Sequence, residues 1–419
     1  MRVAIVSYYA PPDPAVASHR VLRLTRSLID AGHEVHWVTL DAAQLLRSDE
    51  TLRQLIPPGV VRHALGGPTL ASRPAARNLR ERVLRTLYHK LPEWFALPDK
   101  HLEWATRLRR SLPALARAQE FDAVVVSCGP HGQLSALPRL RQAVPDAKLV
   151  VDYRDLLCGN PWTQPGSARV RERLQARERA WLAVADVLYV NSIQAKERFE
   201  QTFDGLEVPV EVMRSAADYA LADEVVASAS TVAPHASSAP VVLGYFGTIF
   251  PRRMLTPLFA AMEQLDPAVL EQLRVEVYCD AGDSRALLER DLESASPSVA
   301  VRVIRRDYLP YAQALAAMRA ASALVLVNGQ DPSDSVFVPG KLFDYVMARR
   351  PTLFVGGGGD ARDIVAKTSG SAWCFEHGDA NGLSDAIARL VEGVPELDPV
   401  PELSRDHTFA PLLSLLEAR

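Results

Sequence analysis

The sequence has 419 residues, of which 48% are hydrophobic and 23% are charged, and its formal net charge at pH 7 is −3. This balance is typical of soluble globular proteins and argues against global disorder, a fibrous fold and general nucleic-acid binding. At roughly 100 to 200 residues per domain, we expect two or three domains. No apolar run approaches the roughly 18 residues of a membrane span, and the first residues lack the features of a secretory signal, so we expect a cytoplasmic protein.

The four cysteines are widely separated, and no two of them form a C-x-x-C pair. This spacing argues against a disulfide framework and against a structural zinc site. We therefore expect buried thiols at Cys128, Cys158, Cys279 and Cys374.

Short apolar stretches alternate with helical patterns through the first part of the chain. The pattern predicts helices that include 16–31 and 167–183, and strands at 2–7, 34–40, 121–127, 147–153 and 186–191. Strands that alternate with helices indicate βαβ units around a parallel sheet.

The alternation starts again after a small, polar, proline-bearing stretch, "ASASTVAPHASSAP". The next predicted strands are 241–247, 274–280, 299–304, 323–328 and 351–355. Helices are predicted between them, and the segment "DHTFAPLLSLLEAR" predicts a terminal amphipathic helix. We therefore predict an α/β protein with two doubly wound Rossmann-like domains, 1–225 and 241–400, which face a central cleft. Residues 226–240 are the predicted linker, and 401–419 the predicted C-terminal helix.

The loops that follow the strands are the informative ones, because ligands of open parallel sheets bind beyond the carboxyl ends of the strands. In "SCGPHGQL", His131 could hydrogen-bond a substrate hydroxyl or shuttle a proton, or it could be structural. In "DYRDLL", an internal Arg-Asp pair explains Asp152, Arg154 and Asp155 better than direct catalysis does. The loop "YYAPPDPAVASHR" leads to a helix N-terminus suited to an anion, but it lacks G-x-G-x-x-G, which disfavours a nicotinamide dehydrogenase.

The second domain has loops suited to a diphosphate. In "GYFGTIFPRR", Gly247 lets the backbone approach a ligand closely, and Arg252 and Arg253 carry forks that suit phosphate oxygens. In "VPGKLFDY", Lys341 begins a helix whose N-terminus is partly positive, which favours an anion beside it. A solvated pair with Asp344 is the alternative. The four glycines of "GGGG" (356–359) lack the Lys-Ser/Thr ending of a P-loop, so ATP hydrolysis is not supported.

The order of these motifs resembles glycosyltransferase family 4, whose members are retaining, sugar-nucleotide-dependent enzymes with the GT-B fold. The resemblance covers nearly the whole chain and rests on "APP...LTRSLIDAGHEV", "DYRDLL", "GYFGTI" and "VPGKLFDYVMARRP". The chain is most similar to the bacterial subgroup that builds surface polysaccharides, which often carries an "LPD...W" element, here Leu97, Pro98, Asp99 and Trp104. The resemblance implies an acceptor-binding first domain and a nucleotide-sugar-binding second domain.

The resemblance also implies site residues. It implies catalytic roles for His131, Lys341 and Arg252. The predicted donor contacts are Gly247, Thr248, Arg253, Leu342, Asp344, Ala15 and Val16, with Asp344 on the donor ribose. The predicted acceptor contacts are Pro12, Asp155, Trp94 and Trp104. No metal ion and no cofactor are expected besides the nucleoside-diphosphate sugar.

The chain departs from the family pattern at three places, one of which is that the usual lysine after the Gly247 strand is not obvious. The family's paired acids require an acid at Val336, and its Gly-Gly after the first strand matches Ala15 and Val16. Two alternatives to glycosyl transfer stay open. One is a sugar-nucleotide 2-epimerase, which shares the two-domain fold, and the other is a nucleotide-binding protein without catalysis, which the missing acid at Val336 would explain.

The segment from Arg73 to Arg117 is basic, with 11 Lys or Arg against 4 Asp or Glu. Its mixture of Arg, Leu, Trp and Phe suits an anionic membrane surface and a lipid-linked acceptor. A solvated helix over the core explains the composition equally well, so both interpretations stay open.

Overall fold

The computed structural model describes residues 1–67, 95–163, 167–228 and 240–418. The chain divides into two compact units, one made of Met1–Ser215 together with the residues from Thr408 onward, the other of Ala216–His407. The division lies ten residues before the predicted domain end at 225, and most of the predicted linker lies outside the described residues. Among the described residues, no helix has both the length and the apolar character needed to cross a bilayer.

The first unit contains a seven-stranded parallel sheet with the order β3-β2-β1-β4-β5-β6-β7. The strands are β1 (Arg2–Val6), β2 (Glu34–Leu40), β3 (Val61–Leu65), β4 (Ala123–Cys128), β5 (Lys148–Tyr153), β6 (Val187–Val190) and β7 (Val210–Val212). The described helices of this part are α1 (Val16–Asp30), α2 (Glu50–Gln54), α3 (Leu102–Ala118), α4 (Leu137–Ala143), α5 (Ala168–Leu182) and α6 (Ile193–Thr202). Strands β1 and β4 read as continuous apolar runs because a parallel strand is covered on both faces.

Two strands of this sheet were not predicted. The edge strand β3 is largely exposed and carries Arg62 and His63, so it lacks an apolar pattern. The other edge strand, β7, has only three residues.

The second unit contains a six-stranded parallel sheet with the order β10-β9-β8-β11-β12-β13. The strands are β8 (Val241–Phe246), β9 (Leu273–Tyr278), β10 (Val303–Arg306), β11 (Ala323–Val327), β12 (Thr352–Val355) and β13 (Cys374–Phe375). The helices from residue 219 to 392 are α7 (Tyr219–Ser228), α8 (Thr256–Met262), α9 (Pro267–Glu271), α10 (Asp283–Glu293), α11 (Pro297–Ala300), α12 (Tyr311–Ala320), α13 (Lys341–Ala348), α14 (Asp360–Thr368) and α15 (Ala380–Glu392).

The strand predicted at 299–304 was wrong in its first half. The short helix α11 occupies Pro297–Ala300, and the strand spans only Val303–Arg306. Pro297 stands in the first turn of that helix, where its fixed φ angle and missing N–H are favourable.

The C-terminal segment contains α16 (Arg405–Thr408) and α17 (Ala410–Glu417) instead of one helix. Phe409 between them is fully buried, and the guanidinium carbon of Arg20 lies 5.7 Å from the centre of its ring. Lys148 Nζ donates to the carbonyl oxygens of Leu415 and Ala418. A cation therefore caps the last carbonyls of α17, which have no partner within the helix.

Candidate functional site

Lys341 lies at the carboxyl end of β8. Its Nζ donates to the carbonyl oxygen of Phe246, the last residue of that strand, at 3.0 Å, and lies 3.7 Å from the centre of the Tyr245 ring. The neighbouring Gly247 has a φ angle of +102°, which glycine adopts without strain. Burial of the amine and the positive charge of Arg253 lower the pKa of Lys341 to about 7. The charged form of this lysine at the start of the helix is therefore disfavoured, and an anion bound beside it would favour that form.

Asp344 is held away from solvent on the same helix. It is 3% exposed, and its Oδ1 accepts a hydrogen bond from Tyr311 Oη at 3.3 Å. Leu342 is fully buried, and its N–H donates to the carbonyl oxygen of Pro339 at 2.9 Å. Both side chains therefore lie in the interior, and the Asp344 carboxylate, one helical turn from Lys341, is bonded to Tyr311.

The two arginines of the loop after β8 have different surroundings. Arg252 has a side chain that is 55% exposed, and its Nη1 lies 3.8 Å from Asp334 Oδ1. The guanidinium carbon of Arg253 lies 5.6 Å from the centre of the Phe337 ring, and the positive charge of Arg253 lowers the pKa of Lys341. Thr248 is exposed, and its carbonyl oxygen accepts from Tyr245 Oη at 2.9 Å. Arg253 is thus associated with Lys341, and Arg252 with an acidic neighbour.

A cavity of about 730 Å³ opens beside this loop in the second unit. Its polar lining includes Arg252, Thr256, Gln330, Asp334 and His377. The Asp334 side chain packs so closely on Gly329 that an added Cβ there would lie 1.6 Å from Oδ2. The geometry therefore brings carboxylate, guanidinium, hydroxyl and imidazole groups around one space large enough for a sugar.

Asp334 and His377 were missed by the sequence analysis. Asp334 is 1% exposed and lies in a 3-10 turn, Pro332–Val336, which ends at the residue where an acid was expected. His377 follows β13, and its Nε2 donates to the carbonyl oxygen of Asn328, which follows β11, at 2.9 Å. Both residues come shortly after strand ends, and this position in the sequence could have identified them as candidates for a ligand site.

In the first unit, His131 begins a 3-10 turn, His131–Ala136, after β4. Its Nε2 lies 2.7 Å from the carbonyl oxygen of Asp155. Because a carbonyl oxygen only accepts, Nε2 carries the proton and Nδ1 of the neutral ring is an acceptor. Burial holds the pKa of His131 below its ordinary value, although the bond to Asp155 and the charge of Asp99 oppose this shift. His131 is therefore in contact with the main chain of Asp155.

An internal Arg-Asp pair includes Asp152 of β5, but its arginine is Arg20 of α1 and not Arg154. Arg20 Nη2 lies 2.6 Å from Asp152 Oδ1, and both side chains are buried. Arg154 instead donates to the carbonyl oxygens of Cys128 and Gly129, each at 2.8 Å.

The remaining predicted residues of the first unit are spread over several environments. Ala15 is the residue before α1, and Val16, which begins that helix, is 49% exposed. Pro12 is buried, and its carbonyl oxygen accepts from the N–H of Asp49 at 2.8 Å. Trp104 is fully buried in the core, so its side chain is not available to an acceptor in this conformation. Trp94 lies outside the described residues.

A buried acid that the sequence did not suggest is bonded to Tyr153, whose ring packs beside His131. Glu178 on α5 is fully buried, accepts a hydrogen bond from Tyr153 Oη and accepts another from the N–H of Cys158 at 3.1 Å. The Tyr153 ring centre is 5.4 Å from that of His131. Burial raises the pKa of Glu178 to about 7.

Glu178→Gln should make the free energy of unfolding less dependent on pH. Because the folded pKa of about 7 lies above the ordinary 4.5, the folded protein holds more protons between these values and loses stability as the pH rises through them. Glutamine resembles the protonated acid, so the variant should be more stable than the wild type at pH 8, by up to about 3 kcal/mol. Urea unfolding at pH 5 and pH 8 measures this difference, and equal slopes with pH for both proteins would contradict it.

Comparison with known proteins finds one matching family. Residues 17–215 match the family described as Glycosyl transferase 4-like domain. The match covers most of the first unit and just under half of the chain. A comparison of the sequence with curated proteins finds no match.

Solved structures extend the similarity to both units. The α,α-trehalose-phosphate synthase (UDP-forming) of Burkholderia xenovorans, in complex with glucose-6-phosphate, is 14% identical, with a TM-score of 0.64 and coverage of 100% of both chains. HepE of Anabaena, in complex with UDP, is 13% identical, with a TM-score of 0.59 and coverage of 99% of this chain and 95% of the other. Sucrose-phosphate synthase of Thermosynechococcus elongatus is 15% identical, with a TM-score of 0.54 and coverage of 99% and 94%.

The predicted fold class is confirmed: the chain has a two-domain α/β fold of the GT-B class. The first unit is similar to the glycosyl transferase 4-like domain over residues 17–215.

Proposed function

We propose that the protein is a retaining glycosyltransferase that moves a sugar from a nucleoside-diphosphate sugar to a glycan or lipid-linked acceptor in cell-surface polysaccharide biosynthesis. The observation that carries the proposal is the lysine at the start of α13, which reaches the end of β8 beside Gly247 and Arg253. HepE, a structural neighbour, was solved with UDP, which supports a nucleoside diphosphate as the donor's leaving group.

The chemical requirement of this reaction is to stabilise the charge that develops on the departing diphosphate. Preorganised cations and helix N-termini can supply this stabilisation in a partly buried site. Lys341 and Arg253 take this role in our proposal, and Asp344 binds the ribose hydroxyls. No metal ion is required, because the positive charges come from side chains.

His131 acts on the sugar side in this proposal. With its Nε2 proton committed to the carbonyl oxygen of Asp155, the neutral ring presents Nδ1 as a hydrogen-bond acceptor for a sugar hydroxyl. Attack from the face of the leaving group would retain the anomeric configuration and needs no nucleophile from the enzyme.

We also assign the donor's sugar to the cavity beside Arg252. Its carboxylate, amide and hydroxyl groups suit the hydroxyls of a sugar. Asp334→Asn should therefore lower the rate of transfer by about tenfold or more while the affinity for the free nucleoside diphosphate changes little. Steady-state kinetics and calorimetry separate the two quantities. A loss of diphosphate affinity equal to the loss of rate would place Asp334 in the diphosphate site and contradict the assignment.

The acceptor is proposed to bind in the first unit, with the protein at the inner face of the cell membrane. Support comes from the basic composition of the Arg73–Arg117 segment and from Phe95, which is 60% exposed. Sedimentation with vesicles of anionic lipid, at low and moderate salt, should pellet the protein, and neutral vesicles should not. Absence of binding to anionic vesicles at both salt concentrations would remove the membrane proposal.

The function is tested by a thermal-shift screen against UDP, GDP, ADP and their sugars, followed by mass spectrometry of products with and without acceptors. Transfer to an acceptor with retained configuration is the expected result. Conversion of the donor alone to its 2-epimer would instead identify an epimerase. Binding without turnover of any donor would favour the nucleotide-binding protein.

A further inference from the structure

The turn that carries His131 is fastened to the segment that leads into α3. The Asp99 carboxylate accepts two backbone hydrogen bonds, from the N–H of His101 at Oδ1 and from the N–H of Gly132 at Oδ2, each at 2.7 Å. One carboxylate thus joins the approach to α3 with the residue directly after His131.

A second fastening comes from the buried indole of Trp104. Its Nε1 donates to Gln133 Oε1 at 3.2 Å, and Gln133 Nε2 donates to the carbonyl oxygen of Ser127 at 2.5 Å. A Cβ on Gly132 would lie 3.0 Å from that of Ala105, so α3 packs directly on the turn. Of the two residues that follow His131, Gly132 is therefore bonded to the segment before α3 and Gln133 to α3 itself.

Asp99 also acts on His131 electrostatically. Its negative charge opposes the lowering of the His131 pKa by burial, and Asp155 contributes in the same direction. The positive charge of Arg154 lowers the His131 pKa. The Tyr153 ring packs beside the His131 ring.

We propose that Asp99 and Trp104 are positioning residues, which fix the place and orientation of the His131 imidazole instead of contacting the acceptor. The inference rests on the proposed function, in which His131 contacts the transferred sugar. It explains why an aromatic residue predicted to contact an acceptor is fully buried. It also gives a role to the acid of the "LPD...W" element.

The test compares Asp99→Asn and Trp104→Phe with two matched controls. Asp41→Asn alters another aspartate of the first unit, which accepts from the N–H of Ala43 two residues on. Trp37→Phe removes another fully buried indole donor, which bonds Thr25 Oγ1 at 2.8 Å. The readouts are the donor KM, kcat and the pKa of His131. NMR of protein with labelled histidine measures this pKa, and the His131→Gln variant assigns the His131 signal.

We expect Asp99→Asn and Trp104→Phe to lower kcat by about tenfold to a hundredfold with less than about a threefold change in donor KM. Asp99→Asn should in addition lower the His131 pKa, because an opposing negative charge is lost. The controls should stay within about twofold of the wild type. Trp104→Phe gives a second test should Asp99→Asn fold poorly.

Two results would overturn the inference: an unchanged His131 titration in Asp99→Asn, or equal losses of kcat in the target and control variants. Failure of the proposed function is distinguishable, since wild-type kcat in His131→Gln would remove the role of His131. The NMR titration would still report whether Asp99 acts on the ring.

Discussion

Lys341→Met should reduce sugar transfer by about a hundredfold to a thousandfold, the range observed when one donor to developing negative charge is removed. Methionine retains the length and the apolar packing of the side chain but removes the cation that lies against the Phe246 carbonyl oxygen and the Tyr245 ring. The loss should appear in kcat measured with saturating donor, and in a weaker affinity for the free nucleoside diphosphate. Wild-type turnover in Lys341→Met would remove the site assignment.

The pKa of Lys341 gives the same prediction a second readout. In the unliganded protein this pKa is about 7, and an anion beside the amine favours the charged form and raises it. Binding of the diphosphate should therefore take up a proton above pH 7, and the affinity should fall as the pH rises. Calorimetry in buffers with different ionisation enthalpies measures the uptake, which should be absent in Lys341→Met.

A matched control is available on the surface of the same unit. Lys367 has a side chain that is 48% exposed and pairs with Glu402 at 3.2 Å. Lys367→Met removes the same charge and should leave both the kinetics and the proton uptake unchanged.

The free energy of unfolding reports the same pKa of Lys341. Because the folded pKa lies below the ordinary 10.5, the folded protein gains stability as the pH rises from about 7 to 10.5. Lys341→Met should lack this gain.

The position of Lys341 could be predicted from sequence, but its contacts could not. A lysine at a helix N-terminus after a strand indicates an anion site, because strand ends of a parallel sheet meet at one edge. The Phe246 carbonyl oxygen is 95 residues away in the chain, and no local pattern reports that contact. The depressed pKa follows from that burial and from Arg253, so it also needed the structure.

The buried location of Trp104 was within reach of the sequence. Trp104, Leu108, Leu112 and Ala116 follow one another at intervals of four residues on α3, and all four are buried. That spacing marks one face of a helix directed at a core. The acceptor contact predicted for Trp104 came from the family resemblance of the "LPD...W" element, which carries no information on burial.

The buried acids show the opposite limit. Glu178 lies in an Arg- and Glu-rich helix, four residues after Leu174 and four before Leu182, both of which are buried on the same face. The spacing marks that face, but a charged side chain is ordinarily solvated, so its full burial was not expected. Asp334 likewise resembles an ordinary turn residue. Tertiary packing alone determines which carboxylate of such a segment is enclosed, and hence which one has a shifted pKa or lines a cavity.

Asp152→Asn should destabilise the first unit by about 3 to 5 kcal/mol, the cost of leaving one member of a buried ion pair without its partner. Arg20 is 3% exposed and Asp152 is 1% exposed, and three nitrogen–oxygen distances between them lie from 2.6 to 3.1 Å. Ser127 Oγ also donates to Asp152, at 2.8 Å. Asparagine retains the shape but leaves the guanidinium charge in a site without compensation. The free energy of unfolding in urea measures the loss.

Arg20 gives this pair a wider effect than its two side chains. The guanidinium also donates to the carbonyl oxygens of Met213 and Arg214, at 2.9 and 2.7 Å, and lies over the Phe409 ring. Arg20→Met should therefore loosen α17 as well, which faster hydrogen exchange of the α17 amides would detect.

The exposed pair of Arg305 and Glu289, with distances of 2.6 and 2.7 Å, is the matched control. Because water already solvates those charges, Arg305→Met should cost no more than about 1 kcal/mol. Equal losses for the buried and exposed pairs would show that burial does not govern the energy of the Arg20–Asp152 pair.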